Sequence, residues 1–289
     1  MQHLQFGLGI RSQIANSLAQ QKHPAIDFVE AHTENYFNPH SLSSHQLSQA
    51  AQHYPVTLHG VGLSLGSAQG MDKQHLRKVK LCVERYQPAL VSEHLSWSQV
   101  DGQHFNDLLP VPYTEESFKV FADNIKQFQD SLQRQILIEN PSAYLQYADS
   151  QIEEADFLNQ LSAETGCGLL LDINNVFVSA FNQGSEGVIA AGKRYLEQID
   201  SHRVKQLHMA GHTEKQIGDA RVLIDTHNQP VRDEVWALYR HYLSLSQAPM
   251  MVLLEWDSDF PEFEVLEQQL SLLRTHADSA KNAQELSHA

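Results

Sequence analysis

The sequence predicts an α/β fold, a (β/α)8 barrel made by a single domain over residues 1–275, and three observations lead to it. Eight short apolar runs alternate with longer stretches of helical pattern along the 289 residues. The runs are nearly continuous, which is typical of strands that a parallel sheet buries on both faces. Eight strand–helix units also fit the usual barrel size of about 250 residues.

The eight predicted strands follow one another without a linker or a break in composition. In order they are FGLGI from residue 6, AIDFVEAH from 25, VTLHGVG from 56, ALVSEHLSW from 89, QILIENP from 135, GLLLDINNV from 168, VKQLHMAGH from 204 and MMVLLEWDS from 250. Amphipathic segments such as EESFKVFADNIKQFQDSL and EEADFLNQLSAET predict helices between them. The polar residues 276–289 predict a flexible C-terminal tail.

An open, doubly wound sheet is the competing fold. Such a sheet usually carries a glycine-rich, phosphate-binding loop after its first strand. The first run supplies Gly7 and Gly9 but no third glycine and no helix signature behind them, which argues against a dinucleotide site. The barrel is therefore the favoured interpretation.

Composition excludes several classes of function. A formal charge of −15 argues against a nucleic-acid partner, because phosphate binding needs a basic surface. No run of 18 apolar residues predicts a membrane span, and the start, MQHLQFGLGIRSQ, lacks the apolar core of a signal peptide, so we expect a cytoplasmic protein. We interpret Cys82 and Cys167 as small buried residues rather than a disulfide or a zinc site.

Six predicted strands end in a residue that can bind a metal. These residues are 33 to 47 positions apart and are His59, His94, Glu139, Asp172, His208 and Glu255. In a barrel all the strands open their carboxyl ends on one face, where active sites lie, so six distant residues would meet at one mouth. Histidine, aspartate and glutamate are the ligands of borderline divalent metals.

Burial strengthens the prediction of a metal site at this mouth. A single histidine after an apolar run is usually an ordinary core or rim residue. Glu139, Asp172 and Glu255 are harder to dismiss, because each follows at least three apolar residues and a buried carboxylate needs a cation. The six strand ends carry no lysine or arginine, so metal ions are the expected compensation.

A further pair of ligands stands in VLIDTHNQPV, after the seventh strand. Asp225 and His227 are two positions apart, and in an extended chain alternate side chains point the same way. An isolated Asp-x-His is more often a turn or a surface loop. Beside six other candidate ligands, the pair predicts another ion at the same mouth, with Glu139 as a candidate bridge between ions.

Eight strings in this order resemble a known family: GLGIR, ENY, LHGVGLSLG, SEHLSW, IENP, LDINNV, HMAGH and DTHNQPV. They are similar to the multinuclear non-haem iron-dependent oxidative enzymes of the methanobactin-synthesis type. That family belongs to the xylose isomerase-like, endonuclease IV-like barrels. The resemblance runs from about Phe6 to about Asp257, which is most of the chain.

The resemblance implies an oxidase with two to three iron ions, zinc or manganese being the alternatives. Such enzymes use molecular oxygen to modify cysteine residues of a ribosomally made precursor peptide, and they commonly work with a small partner protein that recognises the peptide. It also implies three groups of ligands. They are His59, His94 and Glu139 for one ion, Glu139, Asp172, His208 and Glu255 for a second, and Asp225 with His227 for a third.

Asn175 enters through the same resemblance, whereas Glu30, Glu34 and Asn35 enter through their position at the end of the second strand, where a capping or turn role is equally open. Asn175 stands where related endonuclease barrels have a histidine ligand, so the third ion is expected to bind more weakly. Glu30 and Asn35, with Glu34 between them, follow the second strand and are expected to orient the substrate or the ligands. Glu139 and Asp172 are the other residues expected to take part in catalysis.

Three other functions stay open at this point. A divalent-metal sugar isomerase or epimerase would use the same barrel, but it often relies on a lysine at the mouth, which these strand ends lack. A metal-dependent phosphodiesterase is disfavoured by the charge of −15 and by Asn175. A non-catalytic metal-binding protein would have saturated ions and consume no oxygen.

Overall fold

The computed structural model describes residues 3–246 and 248–287. In chain order the elements are β1 (Leu4–Gly9), α1 (Ser12–Gln20), β2 (Phe28–His32), a 3-10 helix (Thr33–Tyr36), α2 (Leu42–Ala50), β3 (Val56–His59), α3 (Lys73–Tyr86), β4 (Leu90–His94), β5 (Trp97–Val100), β6 (Gln103–Leu109), α4 (Glu115–Leu132), β7 (Leu137–Glu139), α5 (Glu154–Thr165), β8 (Gly168–Asp172), α6 (Ile173–Asn182), α7 (Val188–Gln198), β9 (Val204–Met209), β10 (Thr213–Ile217), β11 (Ala220–Ile224), α8 (Asp233–Leu245), β12 (Met250–Leu254) and α9 (Phe263–Ser287).

Eight of these strands close into a parallel barrel in the order β1-β2-β3-β4-β7-β8-β9-β12. Each neighbouring pair is parallel, and β12 pairs with β1 to complete the ring. All eight coincide with the predicted apolar runs, so the predicted barrel is confirmed. The register sets candidate ligands side by side, with His94 opposite Glu139 and Asp172 opposite His208.

The barrel interior is built in layers, because residues two apart on a strand point to the same side. At the amino end the interior is apolar, filled by Phe28, Met251 and Leu253. Two residues further along the strands it is polar, and its hydrogen-bonded side chains are Glu30, Thr57, Ser92 and Gln206. The third layer holds the candidate ligands and ends the barrel at the mouth.

Two hairpins extend the mouth beyond the eight predicted strand–helix units. β5 and β6 pair after β4, and β10 and β11 pair after β9, in both cases antiparallel. The sequence analysis identified only the barrel strands, because these hairpin strands are short and largely exposed. The second hairpin matters for the site, since β11 ends at Ile224 and delivers Asp225 to the mouth.

The C-terminal segment, residues 276–289, is the predicted tail, and its flexibility stays a prediction. Helix α9 continues through this segment as far as Ser287, beyond which the residues lie outside the description. Its buried residues recur every three or four positions and are Leu266, Leu270, Leu273, Ala277 and Ala280. Near the end of the helix the buried residues are alanines, which contribute little hydrophobicity, so the sequence there reads as polar.

Both cysteines are free and buried, as the sequence analysis expected. Within residues 3–246 and 248–287, no helix combines the length and the apolar character that crossing a membrane requires.

Candidate metal centre

Three ligand atoms converge at the ends of β3, β4 and β7. Nε2 of His59 lies 3.1 Å from Oε2 of Glu139, and Nε2 of His94 lies 3.3 Å from the same oxygen. The two imidazole nitrogens are 3.3 Å apart. Ligand atoms held about 2.1 Å from one ion are themselves about 3.0 to 3.4 Å apart, so the spacing of this trio fits a metal ion.

The partners of the two Nδ1 atoms bear on where the protons of His59 and His94 lie. Nδ1 of His94 lies 3.0 Å from the Gly60 carbonyl, which can only accept, so the proton sits on Nδ1. Nδ1 of His59 lies 2.8 Å from the Ser92 hydroxyl, whose own proton can go to the Leu58 carbonyl. With both rings neutral and protonated on Nδ1, the two Nε2 atoms are acceptors beside a carboxylate oxygen, and the trio then requires a cation, either a metal ion or a further proton.

His208 extends the cluster from the first trio toward β12. Its Nδ1 lies 2.9 Å from Oε2 of Glu255 and 3.6 Å from Oε1 of Glu139, yet it makes no hydrogen bond among the described residues. Glu139 thus presents one oxygen to His59 and His94 and the other to His208. This is the geometry that a carboxylate bridging two ions needs.

Glu30 lies behind His208 and holds its ring. Oε1 of Glu30 is 2.9 Å from Nε2 of His208, on the side of the ring away from Glu255. The other oxygen accepts from the Thr57 hydroxyl at 2.8 Å and from the Gln206 amide. Nε2 of His208 also lies 3.2 Å from Nε2 of Gln206, and in the tautomer that has its proton on Nε2, facing Glu30, Nδ1 is free for a metal.

Asp172 is the carboxylate least satisfied by its neighbours. Oδ1 caps α6 by accepting from the Asn175 N–H at 2.7 Å, whereas Oδ2 has no hydrogen-bond partner in the described part of the chain. The pKa of Asp172 is raised well above its usual value by burial and by the nearby Asp225 and Glu139 carboxylates. A bound cation would reverse this effect.

The predicted outer pair, Asp225 and His227, lies at the rim of the same cluster. Nε2 of His227 is 2.6 Å from Oδ1 of Asp225 but does not make a regular hydrogen bond. The structure also brings His227 within ligand range of Asp172 and Glu255. The rim pair is therefore continuous with the inner cluster rather than separate from it.

A buried relay fixes the orientation of Asp225. Nδ1 of His212 lies 2.7 Å from Oδ1 of Asn174, and Nδ2 of Asn174 donates to Oδ1 of Asp225 at 2.7 Å. The direction of both hydrogen bonds follows from the amide. Its nitrogen donates to Asp225, so its oxygen faces His212 and accepts from Nδ1. Burial and the charge of Arg232 lower the pKa of His212 to about 4, which keeps this imidazole neutral.

The remaining predicted residues are placed differently from one another. Oδ1 of Asn175 is buried without a hydrogen-bond partner among residues 3–246 and 248–287, while its Nδ2 donates to the Asn140 carbonyl. Glu34 accepts from the backbone N–H groups of Val61 and Gly62 and orders the loop after β3. Asn35 is exposed on the 3-10 helix, and the structure does not bring it into the cluster.

Three polar residues of the mouth escaped the sequence analysis, namely Arg11, His32 and Asp257. Arg11 is only 8% exposed, and its Nη2 lies 3.6 Å from Oε1 of Glu255. The expectation that metal ions alone neutralise the buried carboxylates is therefore wrong for Glu255. The signal was available, because Arg11 follows β1 directly, His32 ends β2, and Asp257 stands two positions after Glu255.

The protonation of the ion-free cluster shows strong mutual dependence. Burial lowers the pKa of His94, but the carboxylates of Glu139 and Glu93 outweigh it and raise the pKa to about 9. Burial likewise opposes the charged form of Glu139, yet the histidines around it hold its pKa below the usual value. The histidines thus carry protons where a metal would otherwise supply the positive charge.

The comparisons with known proteins agree with this geometry. A family model described as "RiPP precursor modification enzyme MbnB/TglH/ChrH" matches residues 5–278. A UPF0276 protein of Psychromonas ingrahamii is 45% identical over 260 residues, which cover 90% of this chain and 89% of that protein. A UPF0276 protein of Vibrio vulnificus is 47% identical over 264 residues, covering 91% and 88% of the two chains.

Solved structures share the fold at low sequence identity. A xylose isomerase domain protein from Alicyclobacillus acidocaldarius has a TM-score of 0.62 at 14% identity and covers 96% of this chain and 99% of its own. Endonuclease IV from Thermus thermophilus has a TM-score of 0.56 at 14% identity, with coverage of 95% and 99%. At this identity the likeness shows the xylose isomerase-like barrel and nothing about activity.

Proposed function

Since the chain belongs to the RiPP precursor modification enzyme family that its motifs predicted, we propose that it is a multinuclear iron-dependent oxidase of a ribosomally made peptide. The substrate group is a cysteine thiol of the precursor peptide, and molecular oxygen is the oxidant. A small partner protein that recognises the peptide belongs to the same proposal.

The observation that carries the proposal is the meeting of His59, His94 and Glu139. Two imidazole nitrogens and a carboxylate oxygen lie within 3.3 Å of one another in a buried layer. Unpaired buried atoms continue from there across His208 and Asp172. Mixed imidazole and carboxylate ligands suit iron or manganese, and the absence of cysteine from these described ligand sets disfavours a structural zinc site.

Charge supports more than one ion. Six carboxylates surround the mouth and Arg11 is the basic side chain among them; they are Glu30, Glu139, Asp172, Asp225, Glu255 and Asp257. With neutral histidines the group carries a formal charge of −5, which two to three divalent ions would largely neutralise. The proposed ions are one on His59, His94 and Glu139, a second on Glu139, Asp172, His208 and Glu255, and an outer one near Asp225 and His227.

The protein residues supply positions and protonation states. Iron ions bound there would activate dioxygen and accept electrons from the peptide thiol. Ser92 and the Gly60 carbonyl set the tautomers of His59 and His94, and Glu30 sets that of His208. Each ring therefore meets an ion with its lone pair already in place, which avoids a reorganisation cost.

The oxidised thiol has to come from another molecule. Cys82 is fully buried and burial raises the pKa of its thiol to about 11, while Cys167 is 2% exposed and its thiol pKa is also raised by burial. A buried, protonated thiol is a poor ligand and a poor nucleophile. The chain thus keeps its own cysteines away from an oxidising centre, as a peptide-modifying oxidase would need.

Iron content and oxygen consumption test the proposal together. We expect two or more coupled irons per chain by Mössbauer spectroscopy after expression in iron-rich medium. We expect oxygen uptake that depends on a cysteine-containing precursor peptide of the native host, and a mass change in that peptide. The control is the same peptide with each cysteine changed to serine.

Two results would overturn the proposal. A protein that holds a single ion would contradict the multinuclear centre. A protein that loads several irons but consumes no oxygen with the cysteine peptide, with or without its small partner protein, would be a metal-binding protein of another function.

A further inference from the structure

Arg11 occupies a place in the mouth that resembles a metal site. Its Nη2 lies 2.6 Å from Oδ1 of Asp257, 2.7 Å from Nε2 of His32 and 3.6 Å from Oε1 of Glu255. Those three acceptor atoms form a ligand group of their own, since Nε2 of His32 lies 3.4 Å from Glu255 and 3.8 Å from Asp257. One imidazole nitrogen and two carboxylates are a common ligand set for a divalent ion.

The geometry of the group indicates that the arginine donates to Asp257 and His32, while Glu255 lies 3.6 Å away as an ion-pair partner. Nη2 has two protons, one for Asp257 and one for His32, so Nε2 of His32 accepts and cannot donate to Glu255. The 3.4 Å contact of His32 with Glu255 is therefore between two acceptors, like the contacts around Glu139.

The local sequence builds this position for a guanidinium. A Cβ on Gly9 would lie 2.9 Å from Nη1 and 3.2 Å from the central carbon of Arg11, so only glycine leaves room for the side chain to fold back over β1. Nη1 donates to the Ile10 carbonyl at 3.2 Å and Nε donates to Asp257 at 3.0 Å. The second glycine of GLGIR thus serves Arg11.

We propose that Arg11 is a built-in cation that takes the place of an additional metal ion and so limits how many ions the mouth binds. The guanidinium is always charged and is not exchanged or oxidised. Arg11 also gives the two oxygens of Glu255 different partners: Oε1 faces Arg11, while Oε2 faces His208 and His227. Glu255 is thereby held in an orientation that offers one oxygen to the ions.

The inference rests on the proposed metal centre but is tested by counting ions, without any reaction. Purified apoprotein is titrated with Co²⁺ under anaerobic conditions, and bound cobalt per chain is measured by its absorption and by elemental analysis. We expect Arg11→Ala to bind about one more ion than the wild type. Arg11→Lys, which keeps the charge, is the matched control and should keep the wild-type count.

Two further variants identify where the added ion binds. His32→Ala combined with Arg11→Ala should return the count to that of the wild type, because it removes the only imidazole of the described group His32, Glu255 and Asp257. Gly9→Ala displaces the guanidinium without removing it and should also raise the count, which covers the case in which Arg11→Ala does not fold.

The outcomes separate the two proposals. Equal counts in the wild type, Arg11→Ala and Gly9→Ala, with each protein folded by circular dichroism, would overturn the role of Arg11. A wild type that binds no cobalt would instead overturn the proposed metal centre.

Discussion

Two clusters of buried carboxyl groups lie in this barrel, and they satisfy their oxygens differently. Glu154 lines a cleft of about 760 Å³ outside the mouth, where its two oxygens accept from the hydroxyls of Tyr113 and Tyr195, each at 2.7 Å. Burial and the nearby carboxylate raise the pKa values of both tyrosines, which keeps them protonated as donors. In the mouth, Oε2 of Glu139 lies 3.1 and 3.3 Å from Nε2 of His59 and His94 and makes no hydrogen bond among the described residues.

The difference teaches how to recognise a metal site in a protein without a bound ion. The presence of a carboxylate shielded from water does not by itself distinguish the two sites. The distinguishing feature is whether each acceptor faces a donor or another acceptor. Hydrogen bonds satisfy both oxygens of Glu154, whereas the carboxylates of the mouth need cations to offset the cost of their burial.

Removing Glu139 should have the largest effect on this contrast. Glu139→Ala takes a ligand from both the His59–His94 side and the His208 side, so we expect bound metal to fall below half of the wild-type value. Elemental analysis after reconstitution measures it. Glu154→Ala is the control, and it should keep all of its metal. Retention of all ions by Glu139→Ala would mean that this carboxylate does not bridge.

His227→Ala tests the rim of the mouth and should have an intermediate effect. Its two nitrogens approach Asp225 at 2.6 Å and Glu255 at 3.4 Å, so the outer ion loses a ligand while the trio around Glu139 keeps all three. We expect the loss of about one ion per chain, and the spectrum of the inner irons should remain. A loss of every ion would show instead that rim and inner sites fill as one unit.

The barrel could be predicted from sequence far better than the boundaries of the site. Eight apolar runs and the residues at their ends were sufficient for the fold and for His59, His94, Glu139, Asp172 and His208, because parallel strands open their carboxyl ends together. The two hairpins and the helical end of α9 were missed. The hairpin strands are short and largely exposed, and the buried residues near the end of α9 are small alanines, so neither gives a strong apolar pattern.

Arg11 and the relay through Asn174 show why the finer features of the site were out of reach. Arg11 sits outside any apolar run, and its burial depends on space beside Gly9. Asn174 looks like one more residue of LDINNV, and only the fold places His212 from the seventh strand beside it. Each role depends on side-chain direction between segments that are distant in the chain, which spacing in the sequence does not contain.

Asn174→Ala should weaken the outer ion without removing a ligand. The relay from His212 fixes which oxygen of Asp225 faces His227, and the loss of such supporting hydrogen bonds commonly costs about ten- to a hundredfold in metal affinity. Competition with a chelator measures that affinity. Asn159→Ala is a matched control, because the Asn159 amide also links two distant groups, the Gln198 carbonyl and the Asp200 N–H, but lies away from the mouth. Equal affinities for the two variants would contradict the relay.

The smallest effect is expected at Glu154 and concerns stability rather than metal. Burial raises the pKa of Glu154 and the two tyrosine hydroxyls only partly offset it, so the folded protein holds this proton more tightly than the unfolded chain does. Stability should therefore fall as pH rises from the unfolded value through the folded one, and stay constant above it. Glu154→Gln removes that loss, while each tyrosine hydroxyl can still find a donor or an acceptor on the amide.

Thermal unfolding from pH 4 upward should therefore show the wild type becoming less stable relative to Glu154→Gln, by an amount of the order of 1 kcal/mol, the usual size of a single-site change. Glu153→Gln, at the exposed neighbouring position, should follow the wild type at every pH. Parallel curves for all three proteins would mean that the tyrosine hydroxyls fully compensate the carboxylate. Two hydroxyl donors would then be enough to offset the cost of burying the Glu154 carboxylate. The Glu139 carboxylate lacks such donors in the described part of the chain and would need cations for the same purpose.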